Sequence, residues 1–219
     1  PAPVVESHPL AVVFVLITKA EREGMAMNSL RIGFTRGEGV KFISHLDLMK
    51  VFERAIRRSN LPIAYSQGFN PHPQMVFGLP LAVGMTSECE CADFELTEEI
   101  APGQFMERLN KSLPEAIRIT AAAHKSSKKN IMASIAGADY VLEIFSDEDI
   151  SFHTAKQRVG SLLNRESIKV LKEAKGKDRS TAFREVEIRP LILNIELEPI
   201  ECRPEGYEIF QSAFVIKAG

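Results

Sequence analysis

Residues 42–96 read FISHLDLMKVFERAIRRSNLPIAYSQGFNPHPQMVFGLPLAVGMTSECECADFEL, and the rest of the chain can be placed around them. The segment opens with a helix signal, because Ser44 is a favoured N-cap and Asp47 follows three residues later, as in a capping box. Apolar residues then recur at helical spacing, and Pro62 lies beyond the expected helix end. They are Leu48, Val51, Phe52, Ala55 and Ile56. This pattern predicts an amphipathic helix that starts at Ser44.

Basic residues line another face of this helix. Lys50, Arg54, Arg57 and Arg58 stand at i, i+4, i+7 and i+8, and Glu53 could pair with Arg57. Between residues 30 and 65 the chain has seven Lys or Arg against three Asp or Glu. Two interpretations stay open. The stripe is either a solvated helix face, since exposed faces are usually charged, or a surface that binds nucleic-acid phosphates.

The segment Ser66–Pro73 predicts a stiff loop. Gly68 permits positive φ, and two prolines fix the backbone around it. Such a loop can hold Phe69, Asn70 and His72 outward for a partner at little entropic cost. The alternative is a loop that inserts its phenylalanine into the core, because most aromatic residues are buried.

The flanking segments predict an α+β fold. Strands near 30–35, 74–77, 88–96 and 117–123 alternate with helices near 44–59 and 102–113. The order β-α-β-β-α-β is that of a ferredoxin-like domain, which we expect over residues 30–124. A polar linker over 125–137 precedes a second α+β unit over 138–219, related to the first and incomplete. Residues 1–29 are expected to be a leader or linker outside the domain.

Five motifs in this chain resemble those of the radical SAM-linked domain, a bacterial family. They are FISHLD from Phe42, RAIRR from Arg54, GFNPHP from Gly68, PLAVG from Pro80 and ECAD from Glu90. The resemblance covers about residues 30–217, and the chain departs from it at Cys91, where the family usually has an aromatic residue. Members occur fused to, or encoded beside, radical SAM proteins with B12-binding-like regions. The resemblance therefore implies a radical SAM protein as partner.

A more distant similarity is to the CRISPR repeat-RNA endonucleases, which are built from ferredoxin-like RNA-binding folds. S-adenosylmethionine and an iron–sulfur cluster are expected only in the partner, because this chain lacks a three-cysteine cluster. No metal site is expected either. Cys89 and Cys91 would share one face of a strand, and a structural zinc site requires four ligands.

Composition describes an ordinary globular chain of 219 residues with 45% hydrophobic and 26% charged residues. The net charge of −2 gives no global attraction for nucleic acid, so local patches would have to bind it. Three cysteines without framework spacing favour the cytoplasm. The apolar run Leu10–Ile17 is too short to span a bilayer, so no membrane association is expected.

His45 is the candidate for acid–base chemistry. At the start of a helix, a neutral imidazole could take a 2′-OH proton in metal-independent RNA cleavage. The alternative is a structural histidine near the cap, since a single imidazole without a positioned partner is weak evidence of catalysis. Six carboxylates between Glu88 and Glu99 favour an exposed strand face over paired catalytic acids.

The sequence therefore predicts a non-catalytic domain that binds structured RNA, a tRNA or rRNA element, beside a radical SAM enzyme in RNA modification. Its expected contacts are Lys50, Arg54, Arg57, Arg58, Phe69, Asn70 and His72, with stacking of bases on exposed aromatics of the sheet as a further expectation. A metal-independent RNA endonuclease using His45 and a protein–protein docking domain are the alternatives.

Overall fold

The computed structural model describes residues 28–126, 129–146, 150–175, 181–199 and 208–217. The chain divides into two compact units; the first ends at Ile135 and the second begins at Ala136. Residues 1–27, most of the expected leader or linker over 1–29, lie outside the described residues, and Ser29 already belongs to the first strand.

The described residues of the first unit form four strands and two α-helices. They are β1 (Ser29–Arg36), α1 (His45–Ser59), β2 (Met75–Phe77), β3 (Ser87–Glu95), α2 (Pro102–Asn110) and β4 (Ile117–His124). The four strands form one antiparallel sheet in the order β2-β3-β1-β4. Each helix thus connects two strands that have a third strand between them. This is the ferredoxin-like arrangement, and the predicted fold class is confirmed.

One face of this sheet and the two helices enclose an aromatic core. Phe52 of α1 packs edge-on against Phe34 and Phe77, with ring centroids 5.1 Å apart in both pairs. Phe94 of β3 contacts Phe105 of α2 at 5.5 Å. All five rings are buried. Because the core includes the only phenylalanines of the four strands, no such ring is left on the opposite sheet face to stack on bases. The expectation of base stacking on the sheet was wrong.

A buried arginine fixes the chain between β1 and α1. Arg36 is 1% exposed, and its guanidinium donates to the carbonyl oxygens of Val40 at 3.3 Å, Lys41 at 3.1 Å and Ile43 at 2.5 Å. These bonds hold the short 3₁₀ turn Glu38–Val40 and deliver the chain to the helix start. There Ser44 accepts the N–H of Asp47 at 3.1 Å, as the capping pattern predicts.

The opposite face of the sheet carries a buried ion pair. Arg31 on β1 lies across from Asp93 on β3, and Nε of the guanidinium is 2.7 Å from the carboxylate. The N–H of Ile131 also donates to Asp93, at 2.8 Å, and Ile131 itself is 1% exposed. The segment 129–135 therefore lies against this face and covers part of it.

The described residues of the second unit form five strands and one α-helix. Its elements are β5 (Gly137–Ser146), α3 (Phe152–Leu163), β6 (Lys169–Lys175), β7 (Thr181–Glu187), β8 (Ile192–Pro199) and β9 (Glu208–Lys217). Strands β5, β9 and β8 form an antiparallel sheet in that order, while β6 and β7 form a separate hairpin. The order β5-β9-β8 repeats β1-β3-β2 of the first unit, with the hairpin inserted after α3. Ser151 caps α3 by accepting the N–H of Thr154 at 3.2 Å.

Candidate functional site

Two hydrogen bonds between Ser66 and His72 close the loop Ser66–Pro73. The N–H of Ser66 donates to the carbonyl of His72 at 2.9 Å, and the N–H of His72 donates to the Ser66 hydroxyl at 3.0 Å. Tyr65 and Pro73 pair just outside these bonds as an antiparallel bridge. Gly68 has φ +126°, a conformation that side chains rarely allow. The loop is thus a defined turn, as the two prolines and the glycine predict.

Phe69 stands at the tip of this loop in full contact with solvent. Its relative exposure is 112%, which is that of an isolated residue. Phe69 is therefore not inserted into the core. The side-chain nitrogen of Asn70, the next residue, lies 3.3 Å from Nε2 of His72, so these two polar groups of the loop lie together.

A contact between two side chains joins the loop to α1. Nδ1 of His72 lies 3.6 Å from Oε1 of Glu53, whose side chain is 21% exposed. The sequence suggested that Glu53 would pair with Arg57 along the helix. The carboxylate instead faces the loop, and the described part of the chain contains no Glu53–Arg57 ion pair. Since Arg57 is one turn after Glu53 on the same side of the helix, the loop and the basic stripe are neighbours.

The four basic residues of α1 divide into two kinds. Lys50 pairs with Asp47 at 3.2 Å, and Arg58 donates to the carbonyl oxygen of Ser112 at 2.6 Å. Arg54 and Arg57 are exposed, and neither makes a hydrogen bond or ion pair with the described residues. Arg54 and Arg57 are therefore the two basic residues of the stripe without a hydrogen-bond or ion-pair partner among the described residues. The Ser44 hydroxyl, and then Lys50, hold the pKa of Asp47 below its usual value, so that carboxylate stays ionised.

His45 occupies the first position of α1, away from the loop. Its ring packs edge-on against Phe77, with centroids 5.7 Å apart and an interplanar angle of 86°. It makes no hydrogen bond to the residues that the structure describes. Glu53 is eight residues further along the helix, which is roughly 12 Å at 1.5 Å per residue. The structure thus does not bring His45 together with the loop residues.

A groove lies on the other side of the loop, over the edge of the sheet. It encloses about 340 Å³ between Ser66, His72 and Gln74 on one side and Asp93, Glu95 and Lys125 on the other. The Lys125 ammonium group lies 3.6 Å from Asp93 and 3.7 Å from Glu95. Sequence reasoning missed this groove. Its walls come from three segments that are separated in sequence by 17 residues or more, and no local pattern signals that they meet.

The acid-rich strand β3 also places two thiols side by side. Cys89 is exposed, and Cys91 lies on the same strand face opposite Gly33, which has no side chain. A hydrogen bond from Cys91 lowers the pKa of Cys89 to about 7, while the same bond and burial raise the pKa of Cys91. Burial raises the pKa of Glu90 between them. In the described ranges, no three His, Cys, Asp or Glu side chains are grouped as metal ligands.

No helix among the described residues is long and apolar enough to cross a membrane. A family model described as "uncharacterized protein conserved in bacteria" (DUF2344) matches residues 29–216 of the chain. No curated protein matches the chain. Because the model covers most of the sequence, the chain belongs to this bacterial family. The family description names neither a ligand nor a reaction, so the radical SAM connection and the similarity to CRISPR endonucleases stay predictions.

Proposed function

We propose that this member of the bacterial family is a non-catalytic RNA-binding domain. In our proposal it presents a structured RNA, a tRNA or rRNA element, to a radical SAM enzyme that modifies it in the cytoplasm. S-adenosylmethionine and the iron–sulfur cluster would belong to that enzyme. The partner is suggested by the motif resemblance, and the RNA by the surface of the first unit.

The observation that supports the proposal is an exposed aromatic ring on a loop that contacts the helix carrying two unpaired guanidinium groups. Phe69 is fully exposed at the tip of a closed loop, and that loop contacts α1 through His72 and Glu53. Arg54 and Arg57 follow Glu53 on exposed positions of the helix. A base can stack on the ring, and the guanidinium groups can bind the adjoining phosphates.

This combination favours RNA with unstacked bases over a regular duplex. Aromatic stacking requires a base that is free of its neighbours, as in loops, bulges and ends. Asn70 and His72 add hydrogen-bonding groups beside the ring, where a stacked base would present its edge. The sheet does not offer a second stacking surface, because its three phenylalanines are buried. Aromatic stacking in the first unit would therefore depend on the loop.

A protein-docking function is the second candidate, and one surface favours it. Phe42, Leu46 and Val83 are 73%, 68% and 58% exposed. The N–H of Gly84 donates to the carbonyl of Lys41 at 2.7 Å, which joins the two loops that carry Phe42 and Val83. Exposed apolar patches of this kind mark interaction sites. The patch lies toward the start of α1, so docking of an enzyme there and RNA binding at the loop are compatible.

The experiment is ultraviolet crosslinking in cells followed by purification of the chain. The RNA-binding proposal predicts crosslinked RNA, and the crosslinked peptide should contain Phe69. A Phe69→Ala variant should lose most of that RNA, whereas Phe42→Ala, an equally drastic change at another exposed ring, should retain it. Recovery of a protein partner without RNA would contradict the proposal and favour the docking function.

A further inference from the structure

The groove beside the loop presents a carboxylate and an ammonium group next to each other. Lys125 is 11% exposed, and its nitrogen lies 3.7 Å from Oε1 of Glu95, beyond hydrogen-bond distance. Glu95 is 43% exposed, and its other oxygen accepts from the Ser29 hydroxyl. The acceptor and the donor therefore both retain capacity for a ligand.

The deeper carboxylate in the groove is already satisfied. Asp93 is 2% exposed and accepts two bonds from Arg31, at 2.7 and 3.0 Å, and one from the N–H of Ile131, at 2.8 Å. Asp93 thus forms the floor of the groove, and Lys125 lies 3.6 Å from it and 3.7 Å from Glu95. The groove residues with polar groups available to a ligand are Glu95, Lys125 and Gln74, whose amide is exposed.

We propose that this groove binds a single guanine base of the RNA, read by Glu95 and Lys125. This inference rests on the proposed RNA-binding function and names the base beside the one stacked on Phe69. Guanine presents two neighbouring donors, N1–H and the N2 amino group, and one acceptor, O6, on its Watson–Crick edge. A carboxylate accepts both donors, and a lysine ammonium donates to O6. The base would present this edge to both groups at once, because Lys125 Nζ and Glu95 Oε1 lie side by side, 3.7 Å apart.

The other bases fit this pair of groups less well. Adenine and cytosine place an acceptor nitrogen next to their amino group, and that lone pair would face the carboxylate. Uracil offers one donor between two acceptors. Each mismatch leaves a charged group of the groove without its partner, and such losses dominate discrimination. A phosphate would meet two carboxylates, and a metal ion would meet the lysine. A groove of about 340 Å³ is large enough for a base with part of its ribose.

The test measures the affinity of the whole chain for uridine octamers that carry one central guanosine, inosine or adenosine. Inosine lacks only the N2 amino group. We expect the adenosine octamer to bind about tenfold more weakly than the guanosine octamer, the loss of one good bidentate contact. Inosine should bind roughly fivefold more weakly, the loss of one hydrogen bond. Glu95→Gln should abolish both preferences, since an amide can no longer accept both donors.

A matched variant makes this test specific to the groove. Glu98→Gln removes the same charge from an exposed position three residues away, outside the groove, and should keep the guanosine preference. Equal affinity for guanosine, inosine and adenosine octamers would overturn the guanine site while leaving the RNA-binding function standing. Absence of binding to every octamer, and to cellular RNA, would overturn both. The inosine comparison uses the unaltered chain, so it decides the question even if Glu95→Gln fails to fold.

Discussion

Replacing Phe69 by alanine separates a binding role from a packing role more sharply than any other change. The ring is fully exposed, so its removal leaves no cavity, and the free energy of unfolding should change by less than about 0.5 kcal/mol, as is usual at surface positions. A base stacked on an aromatic ring is worth about 1–3 kcal/mol. Affinity for single-stranded RNA should therefore fall roughly ten- to a hundredfold.

The assay pairs a thermal melt with a fluorescence-anisotropy titration of the same preparation. The contrasting variant is Phe52→Ala, because that ring is completely buried between Phe34, Phe77 and Phe94. The Phe52→Ala change should lower the free energy of unfolding by about 3–5 kcal/mol. A Phe69→Ala protein that melts several degrees lower and binds RNA as before would refute the reasoning, since the loop would then serve the fold and not the ligand.

Three further changes test other parts of the account. The Asn110 side chain donates to the carbonyl of Ile119 at 3.0 Å and accepts its N–H at 2.8 Å, so Asn110→Ala should lower the free energy of unfolding in urea by about 1–3 kcal/mol. The rate at which iodoacetamide alkylates Cys89, followed by mass spectrometry, should rise with pH around a midpoint near 7. Cys91→Ala should move that midpoint upward, because it removes the hydrogen bond that stabilises the Cys89 thiolate. His45→Ala should leave RNA binding unchanged, and the metal-free wild type should produce no 2′,3′-cyclic phosphate ends; their appearance would support the endonuclease alternative instead.

Much of the first unit was predictable because its signals are local. The spacing of Ser44 and Asp47 predicts the start of α1, and the helical period of the apolar residues predicts its buried face. The strand–helix order then restricts four strands and two helices to few antiparallel topologies. Three-dimensional contacts were not needed for these steps, so the sequence pattern was sufficient.

Features that depend on long-range register were not predictable. The orientation of Glu53 toward His72 depends on how the loop folds back over α1. The groove depends on the pairing of β1 with β3 and on a chain segment after β4 that lies against them. Burial of Arg36 depends on the turn that wraps around it. In each case tertiary packing decides which residues come into contact, and neither hydrophobic periodicity nor a helix-capping motif encodes that packing.

The second unit illustrates the same division. The sequence predicted a second α+β unit, and the described strands β5–β9 with helix α3 agree with that mixed composition. The sheet order was not foreseen, because β6 and β7 pair with each other and leave β8 to continue the repeat of the first unit. A hairpin inserted into a fold keeps its own local pairing, and the sequence does not mark it as an insertion.

The most direct test of the RNA-binding surface is the salt dependence of binding in an Arg54→Gln, Arg57→Gln double variant. Each phosphate contact contributes about 0.7 to the slope of log affinity against log salt for single strands, so the double variant should bind more weakly with a slope shallower by about 1.4. Replacing Lys156 and Arg165 by Gln, two exposed charges of the second unit, should leave the slope unchanged. If the Arg54, Arg57 variant folds normally and its affinity and salt slope equal those of the wild type, this surface does not bind RNA phosphates and the central claim is wrong.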